Sequence, residues 1–206
     1  MKAPERRAQV LAVARDVFAE RGYHAARIDD IVERARIARG TFYLYFEDKR
    51  AVFSELLDDL TRRLRQAVRR VDLASAESPE QQLRENVRRV LVILLEERAL
   101  TKILISDAVG LDPGFDEKLH AFYDHIAVII EGSLAEGERL GLVRPQHRQI
   151  AACAVIGSIK ELCYRSIFGR LYISVDEALD ALFELHGRAL LAGPLASALD
   201  PPGPLA

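Results

Sequence analysis

Residues 28–49 read IDDIVERARIARGTFYLYFEDK, and their periodicity decides how the rest of the chain is organised. Ile28, Ile31, Val32 and Ala35 recur at i, i+3, i+4 and i+7, the apolar stripe of a short helix. Asp29 and Asp30 sit in its first turn, where negative charge complements the helix dipole. The pattern breaks at 36–38, and a second helix is predicted over 39–46. On it Phe42 and Phe46 are four apart and share one face, while Arg39 and Tyr43 share another. One side is an aromatic anchor and the other presents a guanidinium and a phenol. A helix-turn-helix needs that division, because its second helix is held from behind while long donors reach base edges from the front.

Outward from this stretch the chain reads as helices throughout. Residues 4–21 form a first helix with Leu11, Ala14 and Phe18 on its stripe, and Gly22 stops it. A fourth helix over 49–71 carries Ala51, Val52, Leu56 and Leu57 toward the helix-turn-helix, with Arg62, Arg63, Arg69 and Arg70 as a basic outer face. After a linker at 73–78, Ser78, Pro79 and Gln81 supply an N-cap, a first-turn proline and a capping-box partner for a fifth helix. Further helices are predicted over 99–109, 115–140, 149–168 and 174–192, the last opened by a second capping box, Ser174 with Glu177. Gly141 and Gly169 close two of them. No strand periodicity and no repeat is found, so the expected class is all-α with about nine helices. The expected division is a DNA-binding head (1–48), a helical body (49–192) and a flexible tail (193–206), whose fourteen residues hold four prolines and two glycines.

Composition sets the outer limits. Half of the 206 residues are hydrophobic, which excludes wholesale disorder. The net charge of −2 conceals a split: 16 Lys+Arg against 12 Asp+Glu in residues 1–72, and 13 against 19 in the remainder. A basic head on an acidic body suits a chain that meets DNA at one end. Cys153 and Cys163 are ten residues apart on one predicted helix, about 15 Å along its axis. They are too far apart for a disulfide and are expected as two buried thiols. With no apolar run near the roughly 18 residues of a membrane span, and no signal peptide, a cytoplasmic protein is expected.

Residues 7–53 also resemble the DNA-binding domain of the TetR/AcrR family of bacterial transcriptional regulators. The likeness runs through Ala14, Phe18, Gly22, Tyr23, Ile31, Ala35, Gly40, Thr41, Phe42, Tyr43, Tyr45, Phe46 and Lys49. GTFYLYFEDK agrees with the family core GTLYYYF.SK in both residue type and spacing. The resemblance covers about a quarter of the chain. It implies that Arg39, Gly40, Thr41, Tyr43, Tyr45 and Lys49 line the DNA. Chemistry suits those roles: an arginine opening a recognition helix can donate twice to guanine, worth about 1–3 kcal/mol of discrimination. Tyr43 can meet a thymine methyl or a phosphate; Thr41, Tyr45 and Lys49 are placed for phosphates. Gly40 lets the backbone approach the groove. Three positions depart from the family. Arg27 replaces a threonine N-cap but adds a charge within reach of a phosphate. Arg36 stands where glycine is usual, at a cost of about 1 kcal/mol if left-handed. Ala38 lacks the hydroxyl of the usual serine cap, typically about 1 kcal/mol.

For the body, residues 149–168 begin with an almost wholly apolar run in which Ala154, Gly157 and Ser158 permit close helix approach. A helix apolar all round needs cover on both sides. Helices eight and nine of two copies packing as a four-helix bundle would supply it, giving a homodimer and a near-palindromic operator. The resemblance implies the same arrangement. It also implies a cavity for a small, apolar effector within helices five to eight, with Phe115, Phe122, Tyr123, Ile126, Cys153 and Tyr164 as candidate lining; core packing is the alternative for each. No cofactor, metal site or catalytic constellation is expected. Two other functions compete with the ligand-responsive repressor. One is a ferritin-like all-α metal enzyme, suggested by Glu117 and His120 with Asp116 and Asp124. Helical phase argues against it, since His120 lies about 120° from the centre of the apolar face. The other is a DNA-binding protein without a ligand. His186 falls within the apolar stripe of the last helix and is expected as a satisfied buried or interface histidine.

Overall fold

A computed structural model describes residues 3–107, 113–144 and 146–192. Among these residues the chain is all-α, with α1 (Ala3–Ala25), α2 (Ile28–Ala35), α3 (Arg39–Tyr43), α4 (Lys49–Ala67) and α5 (Pro79–Glu96) in order. There follow α6 (Arg98–Lys102) with a π-helical extension over Ile103–Asp107, α7 (Pro113–Arg139) and α8 (Arg148–Ile167). Last comes α9 (Val175–Leu182), continued by a π-helical segment Phe183–Gly187 and a final turn Arg188–Leu190. Counting each extension with its helix gives nine helices among the described residues. Residues 108–112, between the two helices predicted over 99–109 and 115–140, and the tail 193–206 lie outside the described residues.

The punctuation read from the sequence is realised in hydrogen bonds. Gly22, at φ 75° and ψ 165°, interrupts α1 one turn before its end. The Ser78 hydroxyl accepts from the Gln81 amide at 3.2 Å, and the Gln81 side chain accepts from the Ser78 amide at 2.9 Å. Ser174 and Glu177 make the same reciprocal pair at 3.2 and 2.8 Å. Gly141 and Gly169 adopt positive φ just past α7 and α8.

Two helices end sooner than expected. α3 stops at Tyr43 rather than residue 46: past it the Tyr45 amide makes a tighter i→i−3 bond to the Phe42 carbonyl at 3.0 Å, an acceptor it shares with the Phe46 amide at 3.1 Å. α4 stops at Ala67 rather than residue 71, and side chains of α5 take over. Asn86 accepts the Arg69 amide at 2.9 Å and donates to the Arg69 carbonyl at 2.8 Å, while Arg89 donates to the Ala67 carbonyl at 2.9 Å. Polar side chains thereby satisfy backbone groups that a longer helix would have paired itself.

The chain divides into two compact units. One joins Met1–Arg63 to Leu94–Tyr123. Its core holds Phe18, Tyr23 and Phe53 in mutual ring contact at 5.2–6.2 Å, with Val10, Ala14, Ile31, Phe42, Val52 and Leu60 buried. α6 packs on α1 in the same unit. There the buried Glu97 carboxylate receives Arg15 at 3.3 Å and also Arg63, which turns inward instead of joining the basic outer face expected of α4.

The other unit joins Leu64–Ile93 to Asp124–Ala206. Leu91 packs with Ala178, Leu179, Leu182 and Phe183, and a second cluster gathers Leu134, Val143, Ala151 and Leu191. Gly137 is required beside the latter, since a Cβ there would lie 2.5 Å from a Val143 methyl. The π-helical segment delivers Leu190–Ala192 alongside residues 142–144: Arg144 donates to the Leu190 carbonyl at 2.8 Å and Ala192 to the Leu142 carbonyl at 3.0 Å. Cys163 is buried, and desolvation pushes its thiol up to about 11. Cys153 is exposed, which corrects the expectation of two buried thiols. It sits one residue, about 100°, round α8 from the fully buried Ala152. No described helix is long and apolar enough to cross a membrane.

Candidate nucleic-acid interface

α2 starts without an N-cap acceptor, because Arg27 has only donors to offer. Asp30 compensates by accepting the Arg27 amide at 2.8 Å and pairing with Arg21 of α1 at 2.7 Å. Arg34 reaches Glu20 of α1 at 2.6 Å, so two ion pairs fasten the outer side of α2 to α1. The inner side buries Ile31, Val32 and Ala35.

The turn after α2 is left-handed at Arg36, with φ 53° and ψ 49°, as the missing glycine implied. It is the one non-glycine residue with positive φ among the described residues. Its amide still bonds the Glu33 carbonyl at 3.1 Å, and Ile37 bonds the Val32 carbonyl at 3.1 Å, so the strain is local. Ala38 then opens α3 with no side-chain cap.

α3 is fixed from behind. Phe42 is fully buried, Phe46 nearly so, and their rings lie 5.8 Å apart. Arg7 of α1 lies over the Phe46 ring at 4.8 Å and pairs with Glu55 of α4. In front, Arg39, Gly40 and Tyr43 are exposed, and Thr41 and Tyr45 are half-buried on either side. No atom lies within 4 Å of where a Gly40 Cβ would be. The fold itself therefore has no need of glycine there.

Arg39 has two partners. Its Nη1 lies 2.6 Å from Asp29 Oδ1 on α2, and its Nη2 lies 3.5 Å from the Tyr43 hydroxyl, with the guanidinium 5.9 Å from the Tyr43 ring centre. These contacts, the tyrosine first and then the carboxylate, raise its pKa further and keep it charged. Sequence reading placed Asp29 only as a helix-dipole residue. Its contact with Arg39 spans ten residues and a turn, a spacing that no periodicity announces.

The structure gives Lys49 a different task from the phosphate contact expected of it. Its three ammonium donors lie 2.5, 3.3 and 2.8 Å from the carbonyls of Tyr23, His24 and Ala26, and it rests on the Tyr23 ring. It caps the end of α1, and burial pulls its pKa down. Arg27 is exposed at the start of α2, as a phosphate contact requires.

The candidate effector residues are dispersed. The Phe115 side chain lies outside the described residues. Phe122 is buried against Tyr123 at 5.4 Å, and the Tyr123 hydroxyl donates to the Leu104 carbonyl at 3.3 Å. In the second unit Ile126 is half-buried, while Cys153 and Tyr164 are exposed. A cleft of about 350 Å³ in the first unit is bordered instead by residues such as Asp48, Arg50, Ser54 and Lys118. His120 and Asp124 are exposed while Leu119 and Phe122 are buried, the helical phase expected of a solvated face. No group of three or more metal-ligating side chains occurs among the described residues. His186 is half-buried and satisfied, its Nε2 2.9 Å from the Ser158 hydroxyl.

Comparison with known proteins bears on both halves of the chain. Residues 10–56 match the family described as bacterial regulatory proteins, tetR family, and residues 76–164 match a tetracyclin repressor-like C-terminal domain. The uncharacterised HTH-type transcriptional regulator YdgC of Bacillus subtilis is 29% identical over 166 residues, covering 78% of this chain and 80% of its own. A crystal structure of a TetR-family transcriptional regulator from Syntrophomonas wolfei superposes with a TM-score of 0.77 at 22% identity, covering 91% and 96%. The transcriptional regulator FadR of Bacillus subtilis, in complex with stearoyl-CoA, superposes at 0.71 and 20% identity, covering 87% and 96%.

Proposed function

Since the chain belongs to the TetR family of bacterial regulatory proteins, a family of helix-turn-helix transcriptional regulators, we propose that it is a repressor that binds a near-palindromic operator as a homodimer and is released by a small apolar ligand. The observation that carries the DNA-binding part is α3 itself. Phe42 and Phe46 hold it by its back, and Arg39, Gly40 and Tyr43 face outward from a segment on which glycine serves no internal purpose. Arg39 reads a base. Tyr43, Thr41, Tyr45 and Arg27 meet methyl or phosphate groups, and the bare Gly40 backbone lies closest to the groove. Lys49 acts indirectly, by fixing the junction of α1 and α4.

Dimerisation through α8 and the end of α9 is supported by the apolar groups exposed there, Ile150, Tyr164, Phe168 and Leu185, beside the small exposed residues Ala154 and Gly157. Two copies then present two recognition helices to successive major grooves. Cys153 and Tyr164 suit this interface better than a cavity wall, which leaves Phe115, Phe122, Tyr123 and Ile126 as the effector candidates. The stearoyl-CoA held by the Bacillus subtilis FadR joins an apolar chain to a charged carrier, and the apolar chain makes a long-chain acyl compound the first to try.

The test is selection of duplex DNA from a random pool by the wild-type protein and by Arg39→Ala. Enrichment of an inverted repeat by the wild type, with discrimination lost at one position of each half-site in the variant, is expected. No enrichment above background would remove the regulator reading. Adding stearoyl-CoA to the selected complex tests the ligand separately.

A further inference from the structure

We infer that Asp29 is a specificity-determining residue, whose carboxylate buttresses Arg39 and presents it to a guanine in a fixed orientation. This rests on the base-reading role given to Arg39 above. The two side chains are both largely exposed, at 63% and 58%, yet their atoms meet at 2.6 Å across the turn between α2 and α3. A carboxylate is an unfavourable group on a surface that faces phosphates, so its position beside the arginine of α3 calls for a positive role. Arg39 is bracketed: Asp29 takes Nη1, and the Tyr43 hydroxyl and ring lie on the Nη2 side. Of the five guanidinium donors, these two contacts engage two and leave three for DNA. An arginine held by these two contacts before DNA arrives loses less entropy when it is fixed on binding. A guanidinium held in one plane donates in parallel to guanine O6 and N7 and fits adenine poorly, since adenine carries a donor where guanine carries O6.

The general effect of removing a negative charge is opposite in sign, and this separates the two. Without Asp29 every duplex should bind somewhat more tightly, through lower repulsion of phosphates. Discrimination between guanine and adenine at the Arg39 contact should fall. The experiment measures binding of fluorescein-labelled duplexes, chosen from a random pool by the wild-type protein and then changed from guanine to adenine one pair at a time. Wild type, Arg39→Ala, Asp29→Ala and Asp29→Asn are compared, with circular dichroism to confirm equal helix content. At the guanine where Arg39→Ala loses its preference, Asp29→Ala should lose about tenfold, or about 1.4 kcal/mol, of the guanine-to-adenine ratio. Ratios at other positions should hold, and Asp29→Asn should fall between. An unchanged ratio in Asp29→Ala overturns the buttress while leaving Arg39 as a base reader. Loss confined to a cytosine that Arg39→Ala leaves intact also overturns it, since Asp29 would then be accepting from that base directly. If Arg39→Ala changes no ratio at all, the base-reading role fails first and the buttress with it.

Discussion

Two of the solvent-exposed helix faces among the described residues are built in opposite ways. On α3 the exposed side carries a guanidinium, a phenol and a bare backbone, with the hydrophobic groups turned inward at Phe42 and Phe46. On α8 and the segment after α9 the exposed side keeps Ile150 65% and Leu185 64% accessible, with the Tyr164 and Phe168 rings tilted against each other at 4.6 Å. The first face has donors to offer and loses little in water. The second has few, and only cover by another apolar surface recovers its exposed area. Exposure alone therefore separates nothing; what distinguishes the proposed nucleic-acid face from the proposed protein face is whether the hydrophobic residues point away from solvent or into it.

Four substitutions would break or sharpen that contrast, taken from the largest expected effect to the smallest. Phe42→Ala removes a fully buried ring from behind α3 and should cost about 3–5 kcal/mol in denaturant unfolding, with DNA binding lost. Retained affinity would mean that the face does not depend on its anchor. Leu185→Glu tests the other side. In a single copy the site is mostly exposed, so stability should change by no more than about 0.5 kcal/mol. Sedimentation should nevertheless show dissociation, because the dimer would have to bury an unpaired carboxylate. A dimer that survives this change places the interface elsewhere. Arg36→Gly relieves a left-handed arginine at the turn and should raise stability by about 1 kcal/mol, read as a higher melting temperature; a drop would show that the residue is not strained there.

The smallest effect concerns the seam between α8 and α9. Ser158 donates to the Ala154 carbonyl at 2.9 Å, so it accepts from His186 Nε2–H, and burial pulls the pKa of His186 below its ordinary 6.5. The unfolded chain therefore takes up a proton at higher pH than the folded one. Stability from this group is complete above the unfolded pKa and is lost as pH falls below it. The wild type should lose more melting temperature between pH 7.5 and 5.5 than His186→Gln does. Equal slopes would show that the histidine titrates as it does in the open chain.

Much of this was legible because it is local. Apolar spacing located the helices, the two capping boxes marked the starts of α5 and α9, and the absence of glycine at position 36 announced a strained turn that the backbone then adopts. What remained hidden depends on contacts between distant positions. Asp29 with Arg39, Lys49 with the carbonyls of residues 23–26, and Asn86 with the backbone of Arg69 join residues separated by 10 to 26 places, with no shared period. The early end of α4 follows from such contacts, since a competing acceptor or donor settles where a helix stops. Cys153 was misjudged for a related reason: an apolar run conceals which of its sides the same chain covers.

The π-helical segment Phe183–Gly187 carries a consequence for how the chain tolerates change in length. A π turn holds one residue more than the α turn it replaces, so it has the form of a single-residue insertion absorbed without breaking the helix. Downstream of it, Leu190–Ala192 face residues 142–144 and bond to them in both directions. Deleting one residue from the segment would restore α register and swing that end by about 100° away from its partners. Length, and not only side-chain identity, is therefore under constraint at this point, and natural variants of the chain should trade residues here without losing one.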